Sequence, residues 1–184
     1  MIIGILAVLS ASAAAGMRIA LPLLVVGLLH NDLWSDVPLL SMIPPQVLIC
    51  ILTSWSLFEL FGSKSLLGQR ILQIVQLIFS PLVGGLLGIT VVKIANLEIE
   101  PLWLIGIIGG TFALILNLVQ AGWFFRLRGL PIWAVFLEDI ICVLLVLFAF
   151  NDPQKGGLIA LMLLWIAVRS STAWRQWYKG SRKS

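Results

Sequence analysis

The chain has 184 residues, of which 60% are hydrophobic and 11% charged, and its mean hydropathy is +1.09. Soluble domains carry roughly 25% charged residues, and a soluble core of this size could not hide so much apolar surface. The composition therefore excludes an ordinary soluble domain and predicts an integral membrane protein. The net charge of +4 is spread over the short connections, apart from a basic C-terminal cluster, so it does not indicate nucleic-acid binding.

Six apolar segments predict an all-α bundle of about six membrane-spanning helices. They cover residues 2–29, 46–62, 70–93, 102–125, 131–150 and 157–173. A spanning helix needs about 20 apolar residues, which suits most of them, although the first is interrupted by Gly16 and Pro22 and the second is short. We interpret residues 1–184 as one transmembrane domain. Its parts are a first half at 1–95, a second half at 96–173 and a basic, aromatic cytoplasmic tail at 174–184.

The first segment begins with an apolar stretch followed by small residues, as a signal peptide does. We expect it to be retained, because no basic region precedes the stretch and the apolar pattern resumes directly after Arg18. Ala7, Ala11 and Ala15 recur at helical spacing. Small residues at this spacing allow another helix to approach closely.

The third segment is predicted to break at Pro81, because proline is well tolerated as the first residue of a new helix. Four polar side chains before it share one helical stripe: Gln69, Gln73, Gln76 and Ser80. We predict an amphipathic helix at 66–79, at the membrane interface or partly inserted, and a second helix at 81–95. The alternative is that the stripe forms a polar contact between membrane helices.

Two stretches share the pattern P-x-x-G-G-L, at residues 81–86 and 153–158. Acidic residues precede each one, and three segments in each half would give the two halves opposite orientations, as in inverted-repeat transporters. Glycines at small-xxx-small spacing predict close helix packing. These glycines are Gly84, Gly85, Gly88, Gly106 and Gly110.

Basic and acidic connections alternate along the chain, and this alternation predicts the orientation. Lys and Arg occur at 63–70 and 126–130 and cluster at the C-terminus, whereas the connections at 30–45 and 94–101 are acidic. By the positive-inside rule, both termini are cytoplasmic and the chain crosses the membrane six times. Tryptophan and basic residues near the C-terminus are typical of an anchor on anionic lipid.

Four charged residues, Arg18, Glu59, Glu138 and Asp139, lie inside apolar segments. A central Arg or Asp costs about 2.5–3.5 kcal/mol on insertion scales, so such residues persist when they are paired, hydrated or near the interface. One interpretation is a polar site that binds an ion or small solute, or passes a proton. The other is a structural ion pair of Arg18 with Glu138 or Glu59. The candidate site comprises Arg18, Glu59, Gln73, Gln76, Asn117, Glu138 and Asp139.

The geometry of a regular helix limits how these residues can meet. Asp139 points about 100° away from Glu138, so we expect only one of them to face a small site and the other to bond a neighbouring helix. Asn117 and Gln120 are the candidate partners. Arg18 would lie far from the acids on a straight first helix, and a break at residues 10–16 would bring it closer.

The sequence predicts neither an enzyme nor a metal site. It contains no phosphate-binding loop, nucleophile elbow, H-E-x-x-H or C-x-x-C motif. Cys50 and Cys142 lie in apolar runs, where a free cysteine packs as a small hydrophobic residue. His30 is the one histidine and lies in a polar connection. We therefore expect no catalytic residue, no metal and no cofactor.

Four short stretches occur in the order seen in a known family: AGMRIALPLL at 15–24, LFEL at 57–60, PLVGGLL at 81–87 and FLED at 136–139. In these stretches the chain resembles DUF4126, a family of small bacterial, notably also cyanobacterial, membrane proteins. Two features depart from the family's pattern: GSKS at 62–65 replaces an Asp-Lys-Ile-Pro-like turn, and Asn117 replaces a histidine. The resemblance implies a six-segment membrane protein and selects no mechanism.

Two functions fit these observations. The first is a small ion, proton or polar-solute transporter, or a channel-like protein, whose site lies near Arg18, Glu59 and Glu138. The second is a non-catalytic membrane subunit or assembly factor that binds other membrane proteins, or further copies of itself, through its Gly and Ala faces. Either would reside in a bacterial plasma membrane or a thylakoid membrane, with the lipid bilayer as its surroundings and no nucleic acid as a partner.

Overall fold

The computed structural model describes residues 2–29, 42–62, 65–95, 101–127 and 131–181, with side chains except at 66, 125, 127, 132 and 172–181. Within these residues the chain forms seven helices and no strand, which confirms the all-α prediction. The helices are α1 (Ile2–Met17), α2 (Ala20–Leu29), α3 (Pro45–Gly62), α4 (Leu66–Ile94), α5 (Leu102–Leu127), α6 (Ile132–Asn151) and α7 (Pro153–Ser181). His30, most of the connections used to predict the orientation and the side chains of the basic tail lie outside the described residues.

Four of the described helices are long and apolar enough to cross a membrane, namely α3, α4, α5 and α6. The first apolar segment forms two shorter apolar helices, α1 and α2, rather than one span. At 1.5 Å per residue, α1 is about 24 Å long and α2 about 15 Å, against a hydrocarbon core of about 30 Å. The predicted number of six spans is therefore approximate.

Helix α1 lies at the centre of the bundle, where it contacts α4, α5, α6 and α7. Its residues from Ser10 to Gly16 are small and fully buried, so the neighbouring helices can approach its backbone closely. The Ser10 hydroxyl donates to the Leu145 carbonyl of α6 at 2.7 Å, and the Ser12 hydroxyl donates to the Gly84 carbonyl of α4 at 3.1 Å. These bonds satisfy the buried hydroxyls of α1 and fix the position of α1 along its axis relative to α4 and α6.

Helices α4 and α5 form the most extensive helix pair, and glycines line the contact on both sides. A Cβ atom added at Gly85 would lie 2.8 Å from the Gly106 carbonyl oxygen, and one at Gly110 would lie 2.6 Å from the Pro81 carbonyl oxygen. Gly84 packs against Ala113 and Gly109, and Gly88 faces Val8 of α1. The predicted packing glycines thus lie inside this chain, at a contact between two of its own helices.

The predicted break at Pro81 is wrong, because α4 continues through it as a single helix from Leu66 to Ile94. A proline inside a helix removes one backbone hydrogen bond and crowds the preceding turn, but membrane helices tolerate it where neighbouring helices support the chain. The glycine contact with α5 begins at Pro81 and gives this support. The glutamine stripe therefore belongs to a long helix within the bundle, where Gln69, Gln76 and Ser80 are buried.

The chain breaks instead at residues 18–19, between α1 and α2. Pro22 gives the physical reason, since its ring would clash with the carbonyl of residue 18 in a continuous helix. In the first turn of a new helix the same ring is harmless, because the missing N–H has no partner there. The break lies a few residues after the 10–16 stretch that was considered for it, and α1 remains helical through Met17.

Candidate intramembrane polar site

Arg18 occupies the break between α1 and α2, and its side chain is only 4% exposed. Its Nε donates to Oδ1 of Asp139 at 2.7 Å and lies 3.8 Å from Oε1 of Glu138. The Glu59 carboxylate also acts on this guanidinium electrostatically. The break thus brings Arg18 to the acids of α6, which a straight helix would not have allowed.

The expectation that Glu138 and Asp139 could not face one small site is wrong. Both carboxylates contact the same guanidinium, although they leave α6 in different directions. Both contacts involve the same nitrogen, Nε, which donates its hydrogen bond to Asp139 and lies within ion-pair distance of Glu138. Asp139 makes the short contact, so it is the principal partner of Arg18, and Glu138 is held less closely.

Glu59 closes the site from α3 and is 1% exposed. Its Oε1 accepts from the Ile19 backbone N–H at 3.3 Å and from the Trp55 indole N–H at 3.3 Å. The carboxylate therefore lies at the N-terminal end of α2, where the backbone N–H groups favour negative charge. Its second oxygen, Oε2, is buried without a hydrogen-bond partner among the described residues.

Helix α5 contributes two amides to the site. The Gln120 amide donates to Oε1 of Glu138, which confirms one of the two candidate partners. The Asn117 amide donates instead to the Gly16 carbonyl at 3.2 Å, near the C-terminal end of α1. The Cys142 thiol of α6 likewise donates to the Ala14 carbonyl at 3.5 Å. Asn117 thus provides a donor for the Gly16 carbonyl at the helix end, whereas the Ala14 carbonyl accepts from the Arg18 backbone N–H as well as from Cys142.

The glutamine stripe of α4 faces the same region. Arg18, Gln73, Gln76, Gln120 and Glu138 line a small polar cavity of about 20 Å³, together with Gln69, Leu72 and Val135. A cavity of roughly 10–15 Å³ holds one water molecule when polar partners surround it. Nη2 of Arg18, Oε1 of Gln73 and Nε2 of Gln76 are buried without hydrogen-bond partners among the described residues. The cavity therefore has the size and the open donors and acceptors of a site for one water molecule.

Trp55 is the residue of this site that sequence reasoning missed. It lies four residues before Glu59 on α3, which places both side chains on one helix face. A tryptophan needs an acceptor for its indole N–H when it is buried, and an acid at this spacing is a natural partner. The spacing of four residues between Trp55 and Glu59 was thus the signal in the sequence that could have identified Trp55.

Glu138 and Asp139 contact one guanidinium in this site, and Glu59 acts on it electrostatically, so that three carboxylates share one positive charge. Burying a charge without a partner is very unfavourable, so the excess negative charge calls for a cation or for protons on the acids. Among the described residues, no group of three or more His, Cys, Asp or Glu side chains has the geometry of a metal site. The arrangement is therefore suited to holding a proton, a water molecule or a single-charged cation.

A second, larger cavity of about 440 Å³ reaches Glu138 from the opposite side. It is a groove between α5, α6 and α7, with Trp123, Pro131 and Trp133 toward one end. Only Gln120 and Glu138 contribute polar side chains apart from the indole groups, and the remaining lining is apolar. Glu138 and Gln120 thus separate the apolar groove from the water-sized cavity, because both residues line the two spaces.

An all-helical bundle with several membrane-length apolar helices and a buried charged centre defines the class: a polytopic helical protein of the membrane type. The particular family follows from the sequence, since residues 5–173 match the model of DUF4126, a domain of unknown function. The chain belongs to this family, which confirms the resemblance found in its four short stretches. Searches of curated proteins and of solved structures found no match.

Proposed function

We propose that this protein transports an ion, a proton or a small polar solute through the site formed by Arg18, Glu59, Glu138 and Asp139. One observation carries the proposal: two carboxylates contact one guanidinium beside a water-sized cavity, and a third, Glu59, lies near enough to act on it electrostatically. Ionisable residues inside membrane helices commonly mark ion and proton pathways. The excess of negative charge favours a cation, and a proton is the simplest one.

The broken first segment supports the same proposal. Transport sites of membrane proteins are often formed where a helix is discontinuous, because the free backbone groups of the two half-helices can bind charge. Here the N-terminal end of α2 faces Glu59, and the C-terminal end of α1 faces Asn117 and Cys142. The polar site is therefore built around backbone ends as well as side chains.

The rival role as a subunit or assembly factor predicts a different surface. It requires small-residue faces on the outside of the bundle, where another membrane protein could pack. The glycines Gly84, Gly85 and Gly110 pack against this chain's own helices instead. This use of the glycines favours transport, and it leaves a partner or a further copy of the chain to be tested by native-detergent purification and mass spectrometry.

Flux in liposomes tests the proposal directly. The purified protein is reconstituted, and proton entry is followed with an enclosed pH dye while potassium or sodium gradients are applied. We expect protein-dependent flux that Glu138→Gln abolishes. Asp152→Asn is the matched control, because Asp152 is an exposed acid paired with Lys155 at 2.8 Å and lies just beyond the C-terminal end of α6. Flux equal in all three proteins, or absent from the wild type, would contradict transport through this site.

The proposed location is a bacterial plasma membrane or a thylakoid membrane, with both termini on the cytoplasmic side. The alternation of basic and acidic connections supports this orientation. With it, the end of the groove near Pro131 lies toward the cytoplasm, because the basic connection at 126–130 immediately precedes it.

A further inference from the structure

We infer that the groove between α5, α6 and α7 binds an amphiphilic organic cation, with its charged end at Glu138 and its apolar body along the groove. The inference rests on the proposed function in that it names a substrate class for the same carboxylate. The occupant follows from three features of the groove, which are its lining, its charge and its opening.

The apolar lining of the groove requires a ligand with an apolar body. The groove of about 440 Å³ lies within the range of roughly 300–1,000 Å³ that is typical of small-molecule sites. Its walls are formed by aliphatic and aromatic side chains, including Leu116, Leu137 and Leu163. A small inorganic cation would lose its hydration there without finding oxygen ligands along the walls. A molecule with an extended hydrocarbon surface gains from the same contact.

The charge of the site favours a cationic group beside Glu138. Asp139 holds Arg18 at 2.7 Å, whereas Glu138 lies at 3.8 Å, so Glu138 is the acid less committed to the guanidinium. With Glu59 nearby, the site carries more negative than positive charge, which repels an anionic head group and attracts an ammonium or phosphonium centre. The Gln120 amide bonded to Glu138 orients this carboxylate in the lining of the groove.

The groove is open on the outside of the bundle, which suits entry of a ligand from the lipid. Trp123, Trp133, Leu137 and Ile166 line the groove and are exposed on the outside of the bundle. Tryptophan faces attract organic cations by about 0.5–2 kcal/mol, and tryptophan also prefers the membrane interface. A lipophilic cation that has partitioned into the bilayer therefore meets two indole rings before it reaches Glu138.

Binding of tetraphenylphosphonium to the purified protein in detergent tests the inference, with tetraphenylborate as the anion of nearly the same shape. We expect saturable binding of the cation, no comparable binding of the anion, and about tenfold or greater weakening in Glu138→Gln, as for loss of a charge-assisted contact. Ala134→Phe fills the groove without removing a charged group, so it should weaken binding as well. Asp152→Asn should bind like the wild type.

Two results would overturn the inference: equal binding of the two probes, or cation binding that survives both Glu138→Gln and Ala134→Phe. The first would mean that the groove holds only a lipid chain, and the second that the cation binds elsewhere. A separate measurement distinguishes failure of this inference from failure of the proposed function. It is the flux of protons and inorganic cations in liposomes without the probe. Flux that depends on Glu138 without cation binding would leave transport standing, whereas cation binding without flux would leave a binding site that does not transport.

Discussion

Arg18 is the residue on which the polar site depends, because within the part of the chain that the structure describes it is the positive charge that acts on Glu138, Asp139 and Glu59. A buried ion pair contributes little compared with an apolar replacement, but removing one partner leaves the other charge unpaired. The acids of this site would then have to take up protons, bind a cation or draw in water. Each of these responses is accessible to experiment.

The first prediction concerns Arg18→Gln. We expect the free energy of unfolding, measured by titration with sodium dodecyl sulfate in mixed micelles, to fall by about 3–5 kcal/mol because the acids lose their counter-charge. Arg70→Gln is the matched control, since Arg70 is exposed on α4, and it should change stability by less than about 0.5 kcal/mol. Equal stability of the two variants would mean that the guanidinium does not neutralise the acids in the folded protein.

The second prediction separates the two roles of Glu59. Glu59→Ala removes the acceptor for both the Ile19 N–H and the Trp55 indole, and we expect a loss of about 1–3 kcal/mol in the same titration. Glu59→Gln keeps one acceptor oxygen and should lose less. If the glutamine variant is as unstable as the alanine variant, the charge of Glu59 matters more than its hydrogen bonds.

Sequence reasoning found most members of this site and erred on their arrangement. Charged residues in apolar segments are conspicuous, so Arg18, Glu59, Glu138 and Asp139 could be identified from the chain alone. Their convergence could not, because it depends on where the first segment breaks. The reach of a guanidinium between two adjacent acids is likewise a property of the folded site, which helical angles alone do not describe.

At the scale of helices, Pro22 and Pro81 show why a local signal can have two outcomes. Both prolines lie within long apolar segments, yet the helix breaks just before Pro22 and continues through Pro81. The difference lies in the surroundings: Pro81 begins the close contact with α5, whereas Arg18 and Ile19 find new partners at the break. Such support is absent from the sequence pattern, so the segments were predictable and their interruptions were not.

The third prediction concerns the glycine contact between α4 and α5. Gly85→Ala places a Cβ 2.8 Å from the Gly106 carbonyl oxygen, so we expect destabilisation of about 1–3 kcal/mol as the two backbones separate. Gly122→Ala is the control on α5, because a Cβ there meets nothing within 4 Å.

The control variant is expected to change the stability in the opposite direction, since alanine in a helix is favoured over glycine by about 0.5–1 kcal/mol. Gly122→Ala should therefore be neutral or slightly stabilising in thermal unfolding followed by tryptophan fluorescence. A Gly85→Ala variant that unfolds at the same temperature as the wild type would show that α4 and α5 can separate at this point without cost.

For the whole molecule, the fourth prediction is that both termini lie on the same, cytoplasmic side. Green fluorescent protein fused to either terminus should fluoresce, and alkaline phosphatase fused there should be inactive. Alkaline phosphatase inserted within the connection at 96–100 should be active, because this acidic connection is predicted to face outward. Opposite results at the two termini would require an odd number of crossings and would exclude the six-span topology.

Three of the four helices that meet the criteria for membrane spans, α4, α5 and α6, pack with α7 around α1, which does not meet them. Apolar length predicted the outer helices well, since lipid contact requires it. The central position of α1 follows instead from its small residues, which a hydropathy pattern does not weigh. Composition therefore gives the class of fold, whereas the packing order of the helices depends on residue size.

The break at residues 18–19 also has a mechanical consequence. Helices α2 and α3 pack against each other. Helix α2 also contacts α6, and α3 makes a small contact with α4, so the pair is attached to the rest of the bundle by few contacts. The two-residue junction at residues 18–19, which includes Arg18, connects this pair of helices to α1. Because Glu59 on α3 accepts from the Ile19 N–H in this junction, a change in the charge of Glu59 would alter the contact that joins α3 to the junction.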